Sequence, residues 1–307
     1  MSESAAGDSD VIFKFYRYDP SMAAAVIFIT LFLSVSALHT YQLVRTKTWF
    51  FCCFVIGGYS KSFLAYTLFN SFLEANDWLV QHILIRIKRA VSSNESPNWT
   101  VNPYVVQTLL LLISPALFAA SIYMILGRSI IITDGERHSP IKRVWLTKIF
   151  VVGDVASFIL QGAGGGMMAA GSLEALHNGE RIVIIGLIVQ IVFFSLFAVT
   201  AAVFHMRLVG SMSAKAAVSG IPWQRYLYTL YIASGLILVR SVFRLIEYVQ
   251  GNAGYLISHE AYLYIFDSVL MFLAMALFAW EHPSQLNAKL NGGGTAVRNG
   301  IRLYWEK

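Results

Sequence analysis

Seven apolar runs, each about as long as a helix must be to cross a bilayer's hydrocarbon core, divide this chain. They cover Met22 to Leu43, Trp49 to Leu73, Pro103 to Leu126, Trp145 to Ala170, Ile182 to Phe204, Tyr226 to Tyr248 and Ala261 to Trp280. Lipid offers an exposed backbone no hydrogen-bond partner, so each run is predicted to be a helix. A membrane β-barrel would alternate apolar and polar residues, and these runs are continuous. Only 13% of the residues are charged and 57% are hydrophobic, against roughly 25% charged in a soluble domain. The expected architecture is all-α: a polytopic seven-helix transmembrane bundle over residues 22–282.

Loop charges set the expected orientation. With the N-terminus outside, the inner segments hold 14 Lys and Arg, from Arg45 and Lys47 through Arg128, Lys142 and Arg143 to Lys307, while the outer segments hold 6. Three more, Lys61, Arg240 and Arg244, lie inside helices. The C-terminus is therefore expected in the cytoplasm. Residues 1–21 form an extracellular tail that lacks the basic start and apolar middle of a cleaved signal, so the first run reads as an uncleaved signal anchor. The polar residues 283–307, with Gly292, Gly293 and Gly294, read as a disordered cytoplasmic tail. The loop after the second run carries two glycosylation sequons, at Asn94 and Asn98, and Pro97 makes Asn94 the poorer acceptor. Trp78 to Arg89 reads either as a surface-lying amphipathic helix or as an extension of the second helix.

The net charge of +6 invites a nucleic-acid reading, but the bases sit in loops between apolar runs, so no nucleic-acid partner is expected. Cys52 and Cys53 are adjacent in an apolar run and read as buried small side chains. No phosphate loop, dinucleotide fingerprint or Gly-x-Ser-x-Gly motif is present, so neither a cofactor nor catalysis is expected, and no His, Cys and carboxylate set has metal spacing.

Charges inside spanning helices cost at least about 2.5 kcal/mol each and usually face the bundle interior. Arg240, Arg244 and Glu247 fall at spacings of four and three on the sixth run, which puts all three on one helical face. Glu247 can neutralise one arginine; Asp267 on the seventh run lies at similar depth and is the expected second partner. Asp154 on the fourth run, with Gln161 seven residues on along the same face, is a third candidate. Such a set either fixes helix register as a buried ion network or binds the headgroup of an amphipathic substrate, through the arginines or through the carboxylates. Gln107 and Gln190 are expected to bond between helices, and Glu260 opens the seventh run, where the helix dipole favours an acid; these complete the polar set open to a substrate. The run Gln161-Gly162-Ala163-Gly164-Gly165-Gly166 either lets another backbone approach closely or breaks the helix at a binding site. Pro115 is expected to kink the third helix, and His39 reads as a satisfied core histidine.

Several motifs occur in order along residues 20 to 285. They are Pro103-Tyr104 with Gln107, the stretch from Pro115 to Tyr123 followed by Gly127-Arg128, Gly153-Asp154-Val155 through Gly165, and Arg240 through Tyr248, with Gly251, Gly254, His259-Glu260, Tyr264, Asp267 and His282-Pro283. This pattern resembles the fungal RTA-like family, also called lipid-translocating exporters. That family often carries a Glu before Gly-Tyr and an Arg after it on the second helix; here the stretch reads Lys61-Ser62-Phe63-Leu64-Ala65-Tyr66, with Lys61 partly replacing the Arg. The resemblance implies a multi-pass protein of the plasma membrane with an external N-terminus. It also implies export or transbilayer movement of amphipathic lipids, such as sphingoid bases, with resistance to sterol-like toxic amphiphiles. The alternative is a seven-helix receptor or sensor for a lipid or porphyrin-like ligand. The expected partners are membrane lipids or amphipathic small molecules, and a homo-oligomer is compatible with the sequence.

Overall fold

The structure, a computed structural model, describes residues 22–63, 101–168, 173–210, 223–250, 255–256 and 260–306. Helix α1 covers Met22–Thr46, and a 3-10 turn, Trp49–Phe51, leads into α2 at residues 52–63. Then follow α3 (Val101–Ile132), α4 (Arg143–Met168), α5 (Leu173–Gly210) and α6 (Trp223–Val249). Helix α7 is one continuous run of Glu260–Leu263, a π-turn at Tyr264–Val269, and Leu270–Trp280. Short helix α8 (Ser284–Leu290) and the antiparallel hairpin of β1 (Gly294–Arg298) and β2 (Arg302–Glu306) complete the fold.

Five of these helices are long and apolar enough to cross a membrane, and a sixth span is reached when α7 from Tyr264 is taken with α8 across a 44° bend. Only twelve residues of α2 are described, fewer than a crossing needs. Polarity across the bundle is inverted relative to a water-soluble protein. Val152, Val155 and Ile159 of α4, and Ile185, Ile188, Val192, Leu196 and Val199 of α5, recur every three or four residues on the exposed surface. Lys61, Arg240, Asp154 and Asp267 are buried. Such a surface is stable only where the surrounding solvent is itself apolar.

Two packing devices hold the bundle. An aromatic stack fills the middle: Phe51 lies 4.5 Å from Phe54, Phe54 lies 4.6 Å from Phe118, and Phe278 closes edge-on against Phe54 at 5.2 Å. Between α4 and α5, backbones touch. A methyl group placed on Gly164 would meet the Gly179 carbonyl at 2.6 Å, and one on Gly153 would meet the Phe193 ring at 2.4 Å. Helix α4 runs unbroken through the glycine run, and within that run Gly164 serves close approach. Cys52 is exposed on the outer surface, where the sequence predicts a buried thiol.

The chain beyond Pro283 is folded where its polar, glycine-rich sequence predicts disorder. Leu286, Ala288, Ala296 and Val297 are buried. The segment is tied to the bundle at several points: Arg128 donates to Asn287 Oδ1 at 2.9 Å, and Tyr226 donates to Gln285 Oε1 at 3.1 Å. Gln42 Nε2 donates at 2.7 Å to both Ala279 O and Gly300 O, so α1 grips α7 and the hairpin together. Asn299 and Gly300 take positive φ, 51° and 78°, in the turn, and Asn-Gly is the dipeptide best suited to that conformation. Gln42→Ala is expected to strand both carbonyls and cost about 1–3 kcal/mol. The loosened hairpin would show as faster tryptic cleavage at the exposed Arg298 and Arg302.

Candidate functional site

Asp267 lies in the π-turn of α7, and helix irregularities of this kind concentrate at functional sites. Its carboxylate is gripped from two other helices. Lys61 Nζ of α2 donates to Oδ2 at 2.7 Å, and Arg240 Nε of α6 donates to Oδ1. All three side chains are at most 3% exposed. The α6 sequence explains the approach: Ala233, Ile237, Arg240, Ser241 and Arg244 form its buried stripe, so the cations face inward because the stripe does. Phe243 stacks on Phe266 at 4.5 Å beside the cluster.

One turn along α6, Arg244 Nη1 donates to Glu247 Oε2 at 2.6 Å, and its guanidinium lies 5.1 Å from the Tyr248 ring centroid. These are the two pairings the spacing predicts, Glu247 with one arginine and Asp267 with the other. Lys61, Arg240 and Arg244 thus meet two carboxylates, Asp267 and Glu247, within one cluster.

Asp154 stands apart from this set. Tyr123 of α3 donates to its Oδ2 at 2.8 Å, and the ring of Tyr123 lies within an aromatic shell of Phe150, Phe194 and Phe197. Oδ1 of Asp154 is buried with no hydrogen-bond partner among the described residues. The sequence expectation of Asp154 as a third partner for the arginines is therefore corrected, because α4 turns it toward α3. The charged site is built by α2, α6 and α7, with Lys61 as a second cation on Asp267. Tyr123 was not foreseen, since a tyrosine in an aromatic-rich run carries no signal until a partner is known. Tyr123→Phe is expected to cost about 1–3 kcal/mol by leaving the Asp154 carboxyl unpaired, measurable as a lower unfolding temperature in detergent.

Gln161 and Gln190 form a second polar contact, Nε2 to Oε1 at 3.1 Å across α4 and α5. Asp154 and Gln161 share the buried face of α4, as their spacing predicts. His39 Nε2 bonds to Met275 O at 3.0 Å, a histidine held within the core. The backbones of Gln107 and Glu260 belong to α3 and α7, but their side chains lie outside the described residues, as do Asn94, Asn98 and the segment from Trp78 to Arg89.

The family model described as RTA1 like protein matches residues 84–289. The chain is similar to Protein RTM1 of Saccharomyces cerevisiae, at 34% identity over 91% of this chain and 93% of the relative. It is similar to Protoporphyrin uptake protein 1 of Saccharomyces cerevisiae, at 34% identity over 88% of this chain and 92% of that protein. It is also similar to the Probable lipid transporter atnI of Emericella nidulans, at 25% identity over 88% and 68% of the two chains. No solved structure matches.

Proposed function

Because this chain belongs to the RTA1-like protein family, we propose that it is a seven-helix translocator of amphipathic lipids and toxic amphiphiles in the plasma membrane, without enzymatic activity. In this reading the N-terminus is outside and the C-terminus is cytoplasmic. The supporting asymmetry is the gathering of Arg45, Lys47, Arg128, Lys142 and Arg143 at the ends of α1 and α3 and the start of α4. The described part of α2 belongs to the second crossing. The names of two relatives, a probable lipid transporter and a protoporphyrin uptake protein, support an amphiphilic substrate.

One observation carries the reading: an apolar exterior encloses a carboxylate held by cations from two other helices. A bound headgroup can exchange for one of these partners while its tail stays in lipid. The helices carrying the displaced groups then change their relative preference, the differential contact a two-state carrier requires. A headgroup with an anionic or strongly accepting group takes the place of the Asp267 carboxylate at Lys61 and Arg240. An amine, as in a sphingoid base, takes Asp267 only by displacing one of its cations. Arg244 with Glu247 forms the cluster's next station, and the separate Gln161–Gln190 contact and the Tyr123–Asp154 pair are further polar points within the bundle.

The test is flux in vesicles carrying the purified chain, with a fluorescent lysophospholipid, a porphyrin and a labelled sphingoid base as cargo. The translocator moves at least one of them; a receptor of the same fold binds without moving any. Arg244→Ala is expected to reduce flux about tenfold or more, the loss of one charge-assisted contact, while surface expression persists. Unaltered flux in that variant would remove Arg244 from the route.

A further inference from the structure

A second site lies away from the charged cluster, at the basic end of the bundle. The ends of α3 and α4 and the turn before α2 enclose an open cleft of about 350 Å³, within the range of small-ligand sites. Its wall is apolar: Phe50, Met124, Ile131 and Val144. Arg128 and Arg143 stand at its polar side.

Arg128 is preset. Its guanidinium lies 3.8 Å from the Phe50 ring centroid, and Nη1 donates to Asn287 Oδ1 at 2.9 Å. Arg143 is more open, 41% exposed, and its Nε donates to Glu136 Oε1 at 3.1 Å. An exposed pair of this kind is weak and gives way readily to a stronger anion. Two tryptophans flank the cleft with their rings outward, Trp49 at 63% and Trp145 at 58% exposed. Exposed tryptophans at the ends of apolar helices mark the level of lipid headgroups. Lys148 Nζ sits 5.7 Å from the Trp145 ring, adding basic charge at the same level.

We infer that this cleft binds an anionic phospholipid, with its phosphate between Arg128 and Arg143 and the start of an acyl chain along Phe50, Met124 and Ile131. Basic pockets between helices at a membrane boundary take such headgroups, the planar guanidinium matches phosphate geometry, and the apolar wall prefers a lipid to a free phosphate. The α3–α4 connection and α8, which Arg128 holds through Asn287, are thereby coupled to the leaflet at that end of the protein. The site is independent of the translocation reading, because none of its residues belongs to the Lys61–Asp267–Arg240 cluster.

The experiment is native mass spectrometry of the full chain in detergent, titrated with phosphatidylinositol 4-phosphate, phosphatidylserine and phosphatidylcholine. The two anionic lipids should bind and phosphatidylcholine should not compete. Arg128→Gln and Arg143→Gln should each weaken binding about fivefold, the loss of one basic contact at the surface. Arg137→Gln, in the same connection but outside the cleft, should change it less than about twofold. Should Arg128→Gln fail to fold, Arg143→Gln decides alone, since Arg143 is exposed. Equal weakening by Arg137→Gln would mean diffuse attraction and overturn the site. So would equal binding of phosphatidylcholine. Displacement by free inositol phosphate at the lipid's own concentration would make this a soluble-phosphate site and overturn the lipid assignment. Arg244→Ala should leave this binding intact even if it abolishes flux, so the two readings fail separately.

Discussion

Asp267→Ala should be the most damaging single substitution in the described bundle. Removing one partner of a buried pair leaves an uncompensated charge and costs about 3–5 kcal/mol. Here one carboxylate serves two cations, Lys61 and Arg240, both nearly without exposure. The variant should unfold early in detergent and fail to accumulate in cells. The triple variant Lys61→Met, Arg240→Met, Asp267→Leu separates the roles of the cluster. Replacing a whole buried ionic group by apolar residues of similar volume is often neutral or stabilising, so this variant should recover thermal stability to near that of the parent. If it recovers stability and loses flux, the charges serve the substrate. If it recovers both, they serve helix register alone and the proposed headgroup site is removed.

Gly164→Leu should be nearly as harmful for a different reason. A side chain there meets the Gly179 carbonyl at 2.6 Å and the Val183 amide at 2.9 Å. Backbone cannot swing aside as a flexible side chain can, so α4 and α5 must separate, at a cost of about 3 kcal/mol or more. Gly166, two residues on, has nothing within 4 Å of the same added carbon. Gly166→Ala is therefore expected to be neutral or to stabilise by up to about 1 kcal/mol through helix propensity. Unfolding temperatures of the two variants in one detergent give the comparison. Equal tolerance at both positions would mean that the glycines do not set the α4–α5 distance.

Helices, and the inward turn of their charges, were legible from the sequence because lipid leaves few alternatives. Apolar runs must be helical, and the spacing of Arg240, Arg244 and Glu247 puts them on one face whatever the tertiary fold. That Glu247 meets one arginine and Asp267 the other followed from depth and spacing; which arginine goes with which acid did not. Neither did the way Asp154 faces. That depends on how α4 is rotated against its neighbours, and a helix with glycines on its α5 side can turn its carboxylate toward α3 without any mark in its own periodicity. The π-turn at Tyr264–Val269 was equally silent, because one extra residue in a turn leaves the apolar composition unchanged. The folded tail was readable in part. Asn299-Gly300 between short alternating segments is a hairpin signal, but the neighbouring glycines and polar residues outweighed it in composition.

That tail has a practical consequence for anyone attaching a reporter. Glu306 of the final strand accepts a hydrogen bond from Gln285, which in turn accepts one from Tyr226, so the last strand is mechanically continuous with α6. A fluorescent protein joined directly after it would tug on that chain of contacts and mimic a destabilising mutation. A long glycine-serine spacer keeps the label from reporting its own damage.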